Sequence, residues 1–179
     1  MEKNDNSGLG LIHVYTGNGK GKTTSALGLG LRAAGHGFRV LMVQFMKGDP
    51  SYGEVIAVSK IDNFNLIQSG LPTFVKKGEP SEEDLVLAKA GFEKCYEAVT
   101  TGTYDIVIMD EINVAVNYGL IPLGDVLNLI DEKSKDVELI LTGRYADKKI
   151  IEKADLVSEV QEIKHPFTKG IPARRGVDF

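Results

Sequence analysis

The chain has 179 residues, 42% apolar and 26% charged, enough for one globular domain with a substantial core and too few for a second of full size. Its net charge of −4 excludes the broad basic excess that bulk nucleic-acid binding needs. No apolar run nears the roughly 20 residues that span a bilayer, the opening MEKNDNSG lacks a signal peptide's apolar stretch, and one cysteine excludes an intramolecular disulfide, so the reading is a cytoplasmic protein.

In chain order, GLIHVYT (residues 10–16) is a short apolar run suited to a buried strand, and TTSALGLGLRAA (23–34) reads as a helix stopped by Gly35 and Gly37. RVLMVQF (39–45) predicts a second strand, residues 49–60 a short helix and FNLIQS (64–69) a third strand. Ser81 opens a helix, because its hydroxyl can accept from first-turn amides while Glu82, Glu83 and Asp84 suit the positive end of the dipole. Leu85, Ala88, Phe92, Cys95 and Val99 then share one face, which makes Cys95 a core residue. His13, in mid-strand, reads as a satisfied core histidine.

YDIVIMDE (104–111) is apolar enough for the centre of a parallel sheet and ends in two acids. Pro122 opens a helix with Leu123, Val126, Leu127 and Ile130 inward. VELILTG (137–143) is a strand, residues 146–153 a short helix and 156–163 a last strand. Apolar runs alternate with amphipathic stretches, with no internal repeat or low-complexity linker, so repeated βα units of an α/β fold are expected.

TGNGKGKTT (16–24) places a glycine-rich loop between the first strand and the first helix. Backbone amides of such a loop converge on phosphate oxygens, and the helix N-terminus adds its positive end. Gly17, Gly19 and Gly21 permit close approach, Lys22 can reach a terminal phosphate, and the Thr23 hydroxyl can hold Mg²⁺. The first glycine of the usual G-x-x-x-x-G-K-[ST] pattern is missing, and Thr16 stands in its place. Asp110, at the end of a buried strand, suits the carboxylate that acts on the metal or its water. Glu111 can bind metal or act as a base, or merely start the next helix. With scattered histidines and a single cysteine, any metal is a hard cation on oxygen ligands. The residues thus predict Mg²⁺ and a nucleoside triphosphate; no N-K-x-D-like guanine signature appears, which favours ATP.

TGNGKGKTT, VQFMKG (43–48), IVIMDEINVAVNYGLIP (106–122), LTGR (141–144) and KHPFTKGIPARRGVDF (164–179) occur in colinear order from about Gly8 to Phe179. With them the chain resembles the P-loop type of ATP:corrinoid adenosyltransferase. That resemblance implies a RecA-like, P-loop NTPase-type, mostly parallel sheet flanked by helices, and a homodimer. The implied reaction transfers the 5′-deoxyadenosyl group of ATP to a Co(I) corrinoid, cobalamin or an incomplete precursor such as cobinamide, and releases triphosphate. An electron-donating flavoprotein is the implied reductant. The family's variant loop binds ATP in a reversed sense.

Residue by residue, the resemblance makes Gly17, Asn18, Gly19, Lys20, Gly21, Lys22, Thr23 and Thr24 the phosphate cradle. Lys22 stabilises developing charge, Thr23 with Asp110 or Glu111 supports Mg²⁺, and Arg144 reaches the triphosphate, unless it is only a surface residue at a strand end. Gln44 and Lys47 would line the rim where open α/β folds bind ligands, or lie in a solvated loop. Residues 164–179, with Lys164, His165, Lys169, Arg174 and Arg175, would fold back toward the site, although alone they read as a solvated basic tail.

Two departures stand out. Family members place a Phe and a Trp in a G-F-T-W stretch under the corrin, whereas this chain has SGLPTFVKKG (69–78) and no Trp, leaving Leu71 and Phe74 as the nearest candidates. Many members also carry a longer helical N-terminal extension; here residues 1–8 read as a flexible tail. An ordinary P-loop kinase or ATPase is the rival enzyme reading, and an ATP-dependent corrinoid carrier without turnover the non-enzymatic one.

Overall fold

The computed structural model describes residues 8–179, so the expected tail over residues 1–8 lies, Gly8 apart, outside the described residues. Six strands, β1 (Ile12–Thr16), β2 (Val40–Phe45), β3 (Phe64–Ser69), β4 (Ile106–Asp110), β5 (Glu138–Thr142) and β6 (Leu156–Glu159), form one sheet in the order β3-β2-β4-β5-β1-β6. All its pairings are parallel, which the expected mostly parallel sheet understated. The connections are α1 (Lys22–Gly35), α2 (Gly53–Val58), α3 (Glu82–Thr101), α4 (Ile112–Tyr118), α5 (Leu123–Glu132) and α6 (Lys148–Lys153), with a 3-10 turn at Pro166–Lys169.

The central strands are apolar on both faces because helices cover both. Val14, Val43, Met109 and Leu141 point into a core shared with α3, α4, α5 and α6. The alternate residues Met42, Ile108 and Ile140 point into a second core beneath α1, with Ala26 and Ala33. His13 is satisfied, as expected: its Nε2 lies 2.7 Å from Glu138 Oε1, and the other carboxylate oxygen accepts the amides of Gly10 and Leu11.

Several boundaries differ from the sequence reading for identifiable reasons. The expected strand over residues 156–163 stops at Glu159, because its neighbour β1 ends at Thr16 and the Val160 carbonyl instead accepts the Gly19 amide of the loop. Leu85 is exposed instead of facing the core. α3 has 20 residues, about 30 Å, against roughly 20 Å for a six-residue strand, so its first turn overhangs the sheet. That turn carries the expected cap: Ser81 Oγ accepts the Asp84 amide and Asp84 Oδ2 accepts the Ser81 amide. Pro122 is the cap residue of α5 and precedes its first turn. α4, directly after the acidic strand, is the helix that the alternative reading of Glu111 has it start; its seven residues are too few for a clear helical period.

β5 lies between β1 and β4, so the carboxyl ends of the loop-bearing and acidic strands stand about 9.5 Å apart. That gap holds the site. Because Leu141 of β5 is fully buried under it, Leu141→Ala is expected to lower unfolding free energy by about 2–5 kcal/mol, read in urea as a lower midpoint with an unchanged m-value.

Candidate nucleotide and metal site

β1 ends at Thr16 and α1 begins at Lys22, so residues 17–21 form the loop. Gly17 has φ 96°, and a Cβ there would stand 2.4 Å from the Val160 carbonyl oxygen; at Gly19 it would stand 2.7 Å from that of Gln161. Only glycine lets the loop lie against the chain leaving β6. α1 has no acidic residue in its first turn and no side-chain cap, so its leading amides and positive dipole end are left for an anion.

Lys22 is buried and donates from Nζ to the Gly19 carbonyl at 2.6 Å, curling over the loop it follows. Burial pulls its pKa below the ordinary lysine value, a shift that Glu111 opposes. Thr16, at the position of the missing glycine, is also buried, and its hydroxyl accepts the Ala146 amide at 3.4 Å. The side chain that a glycine would lack thus ties the loop to the segment carrying Arg144. Arg144 reaches back, donating from Nη2 to the Asn18 carbonyl at 3.1 Å.

Asp110 is fully buried and accepts on both oxygens. Oδ1 takes the hydroxyls of Thr23 at 2.9 Å and Thr142 at 2.7 Å. Oδ2 takes the Lys47 ammonium at 2.8 Å and the Gln44 amide at 3.4 Å. The carboxylate raises the Lys47 pKa despite burial, which acts the other way. Gln44 is therefore not on the rim as expected: it is fully buried behind Asp110, in register with it across the β2–β4 pair.

Glu111 is different. Its carboxylate accepts no hydrogen bond from any described residue, and it lines a cavity of about 600 Å³ with Thr23, Lys22, Lys47 and Arg144. It caps α4 in a left-handed conformation, φ 62°, with its amide donating to Thr142 Oγ1 at 3.0 Å. Burial raises its pKa and Asp110 raises it further, while Lys47, Lys22 and Arg144 oppose the shift. Met46, Glu111 and Tyr145 are the non-glycine residues with positive φ among those described, and all three follow strand ends at this one rim.

These contacts decide which groups can take a cation. Asp110 has its lone pairs committed to four donors, whereas Thr23 gives its proton to Asp110, has the Lys47 ammonium at 3.5 Å, and keeps an oxygen lone pair in the cavity that Glu111 also lines. No cluster of three or more His, Cys, Asp or Glu among the described residues could hold a metal alone. Two protein oxygens completed by phosphate and water suit Mg²⁺, which is seldom caged by protein.

The cavity's far wall comes from residues 165–179, including His165, Phe167, Ile171 and Phe179, and Lys20 pairs with Asp178 at 2.5 Å. Lys164, Lys169 and Arg175 are exposed and do not line it. Leu71 and Phe74 do not line it either: Leu71 is half-buried and Phe74 fully exposed. Their loop nevertheless abuts the segment bearing Lys47, since a Cβ on Gly48 would lie 2.2 Å from the Gly70 carbonyl oxygen. Sequence reasoning missed Thr142, Tyr52, Asp178 and Phe179. The threonine left a signal as the polar end of the apolar run VELILTG, and Asp178 and Phe179 lie in the segment 164–179 that the resemblance turns back toward the site, whereas Tyr52 left none.

Because the site raises Glu111's pKa, ionisation opposes folding: the penalty is absent below the unfolded-state value, grows with rising pH, and is complete above the folded-state value. Glu111→Gln is accordingly expected to raise the melting temperature at pH 7, with the gain vanishing near pH 4, in parallel thermal melts of both proteins.

A family model, ATP:corrinoid adenosyltransferase BtuR/CobO/CobP, matches residues 8–179. The corrinoid adenosyltransferase of Sinorhizobium sp is 37% identical over 175 residues, covering 95% of this chain and 80% of the relative. Those of Escherichia coli K12 and Pseudomonas aeruginosa are 35% and 34% identical, each over 95% of this chain and 86% and 84% of their own lengths. The loop, the acidic strand end and the returning C-terminal segment all lie within the matched span, and the chain belongs to the ATP:corrinoid adenosyltransferase family.

Proposed function

We propose that the protein transfers the 5′-deoxyadenosyl group of ATP to the Co(I) centre of a corrinoid. The observation that carries this reading is one cavity in which the loop, Glu111 and Arg144 face one another, in a chain whose described residues all fall within the family match. The cobalt electron pair forms the bond to the ribose 5′ carbon as the carbon–oxygen bond breaks, and triphosphate leaves with the electron pair of that broken bond. No proton is removed, so the protein's work is positioning and charge stabilisation.

The loop amides of residues 17–23 and the open end of α1 bind the triphosphate, while Lys22 and Arg144 stabilise the charge it gains. Thr23 and Glu111 hold Mg²⁺, with Asp110 orienting the threonine hydroxyl and Lys47 neutralising Asp110. When bound, the ion neutralises phosphate charge and improves the leaving group. Leu71 and Phe74 are offered to the lower corrin face; the full exposure of Phe74, on a loop abutting the Lys47 segment, supports this.

A flavoprotein would supply electrons to cobalt, and the active form would be a homodimer in the cytoplasm. No helix among the described residues is long and apolar enough to cross a membrane.

Glu111, beside Asp110 and with a raised pKa, also suits a base that activates water, which favours ATP hydrolysis as the second reading. Incubation with ATP, Mg²⁺ and a chemically reduced corrinoid is expected to give a light-sensitive cobalt–carbon product and triphosphate. ADP and orthophosphate as the only products would replace the first reading by the second. Lys22→Ala is expected to lower turnover at least 100-fold, on the order of 3 kcal/mol of lost charge stabilisation, with an unchanged circular dichroism spectrum.

A further inference from the structure

The cavity has two chemically different walls. One is the phosphate loop, with its amides and the cations Lys22 and Arg144. The other is the end of the chain, where Phe167, Ile171, Val177 and Phe179 leave between 38% and 73% of their surface exposed although all four line the cavity. Apolar surface gathered inside a cavity marks a place for a ligand's apolar face.

Residues 174–179 are folded as a turn of their own. Asp178 Oδ2 accepts the Arg174 amide at 2.9 Å and its Nε at 3.2 Å, the Asp178 and Val177 amides return to the Arg174 carbonyl, and the Gly176 amide donates to the Phe179 carbonyl. Two contacts place the turn. Asp178 Oδ1 meets Lys20 Nζ of the loop at 2.5 Å, and the Phe179 ring packs on Tyr52, centroids 5.9 Å apart, at the start of α2. The turn therefore spans the cavity from the loop to α2.

We infer that this C-terminal turn is the wall against which the nucleoside part of ATP packs, and that Asp178 is a positioning residue that sets the wall by holding Lys20. The inference rests on the ATP reading above and deepens it. Phosphate is the wrong ligand for this wall, since its one aspartate would repel the anion and Arg174 is already paired with that aspartate. An aromatic and aliphatic surface instead suits the flat faces of a base. The pairing also draws Lys20 toward the far wall, leaving Lys22 and Arg144 as the cations that serve the phosphates.

Calorimetric titration with Mg²⁺-ATP and, separately, with Mg²⁺-tripolyphosphate tests this, because the second ligand has the phosphates without the nucleoside. Phe179→Ala is expected to weaken ATP at least tenfold while tripolyphosphate stays within twofold of wild type, and Phe179→Tyr to restore ATP binding. Asp178→Asn is expected to weaken ATP several-fold, with Asp178→Glu recovering most of the loss, and thermal melts verify that each variant is folded. Unchanged ATP affinity in Phe179→Ala and Asp178→Asn, or equal losses for both ligands, would overturn the inference. A wild-type protein that binds ATP but leaves a reduced corrinoid unmodified would overturn the proposed reaction and not this wall.

Discussion

A carboxylate with no access to solvent, Asp110, is the constraint on which the site is built. Burying such a charge unpaired costs several kcal/mol, so the fold must bring it donors, and it brings them from three other elements. Thr23 comes from α1, Thr142 from β5, and Gln44 with Lys47 from β2 and the loop after it. Parallel register makes this possible, because Gln44 stands opposite Asp110 across one pair and β5 flanks it on the other side. Each donor is thereby fixed relative to the phosphate loop.

The same arrangement explains why the two adjacent acids behave differently. Asp110 spends its oxygens on internal donors, whereas Glu111, itself in a left-handed conformation with its amide donating to Thr142, keeps its carboxylate in the cavity. One acid organises the site and the other is presented to ligand. The strained backbone at Met46, Glu111 and Tyr145 lies where three strands release their chains toward that ligand, and such strain persists only where surrounding contacts enforce it. A cavity whose charges are held by internal contacts of this kind suits a reaction that needs alignment more than proton transfer.

The threonine in place of the usual first glycine acquires a physical role in this setting. Its hydroxyl accepts the Ala146 amide, while Arg144, two residues earlier, donates to Asn18 of the loop. Loop and arginine segment are joined on both sides, so the phosphate cradle is continuous with the end of β5. The C-terminal turn closes the opposite side through Lys20 and Tyr52. The loop is therefore held by distant parts of the chain, a dependence that local sequence does not express.

Periodicity and local chemistry made much of this legible in the sequence. The runs VLMVQF, IVIMD and ELILT are strands because apolar residues of that density must be covered on both faces, IHVYT and FNLIQS are short apolar runs bounded by turn residues, and the loop declares itself by glycines between a strand and a helix. α4 was too brief to show a helical period, Leu85 is exposed because α3 outruns the sheet, and the last strand is shorter than its apolar run because β1 ends beside it. Sequence alone determined the βα alternation, the phosphate loop and the acid pair, since these follow from residues adjacent in the chain. Only the tertiary structure decided that Asp110 is consumed by Thr142, Gln44 and Lys47, that Glu111 faces the cavity, and that Asp178 and Phe179 close it. Those outcomes depend on residues 31 to 158 positions apart, brought together by strand order and by the cost of leaving a buried charge unpaired.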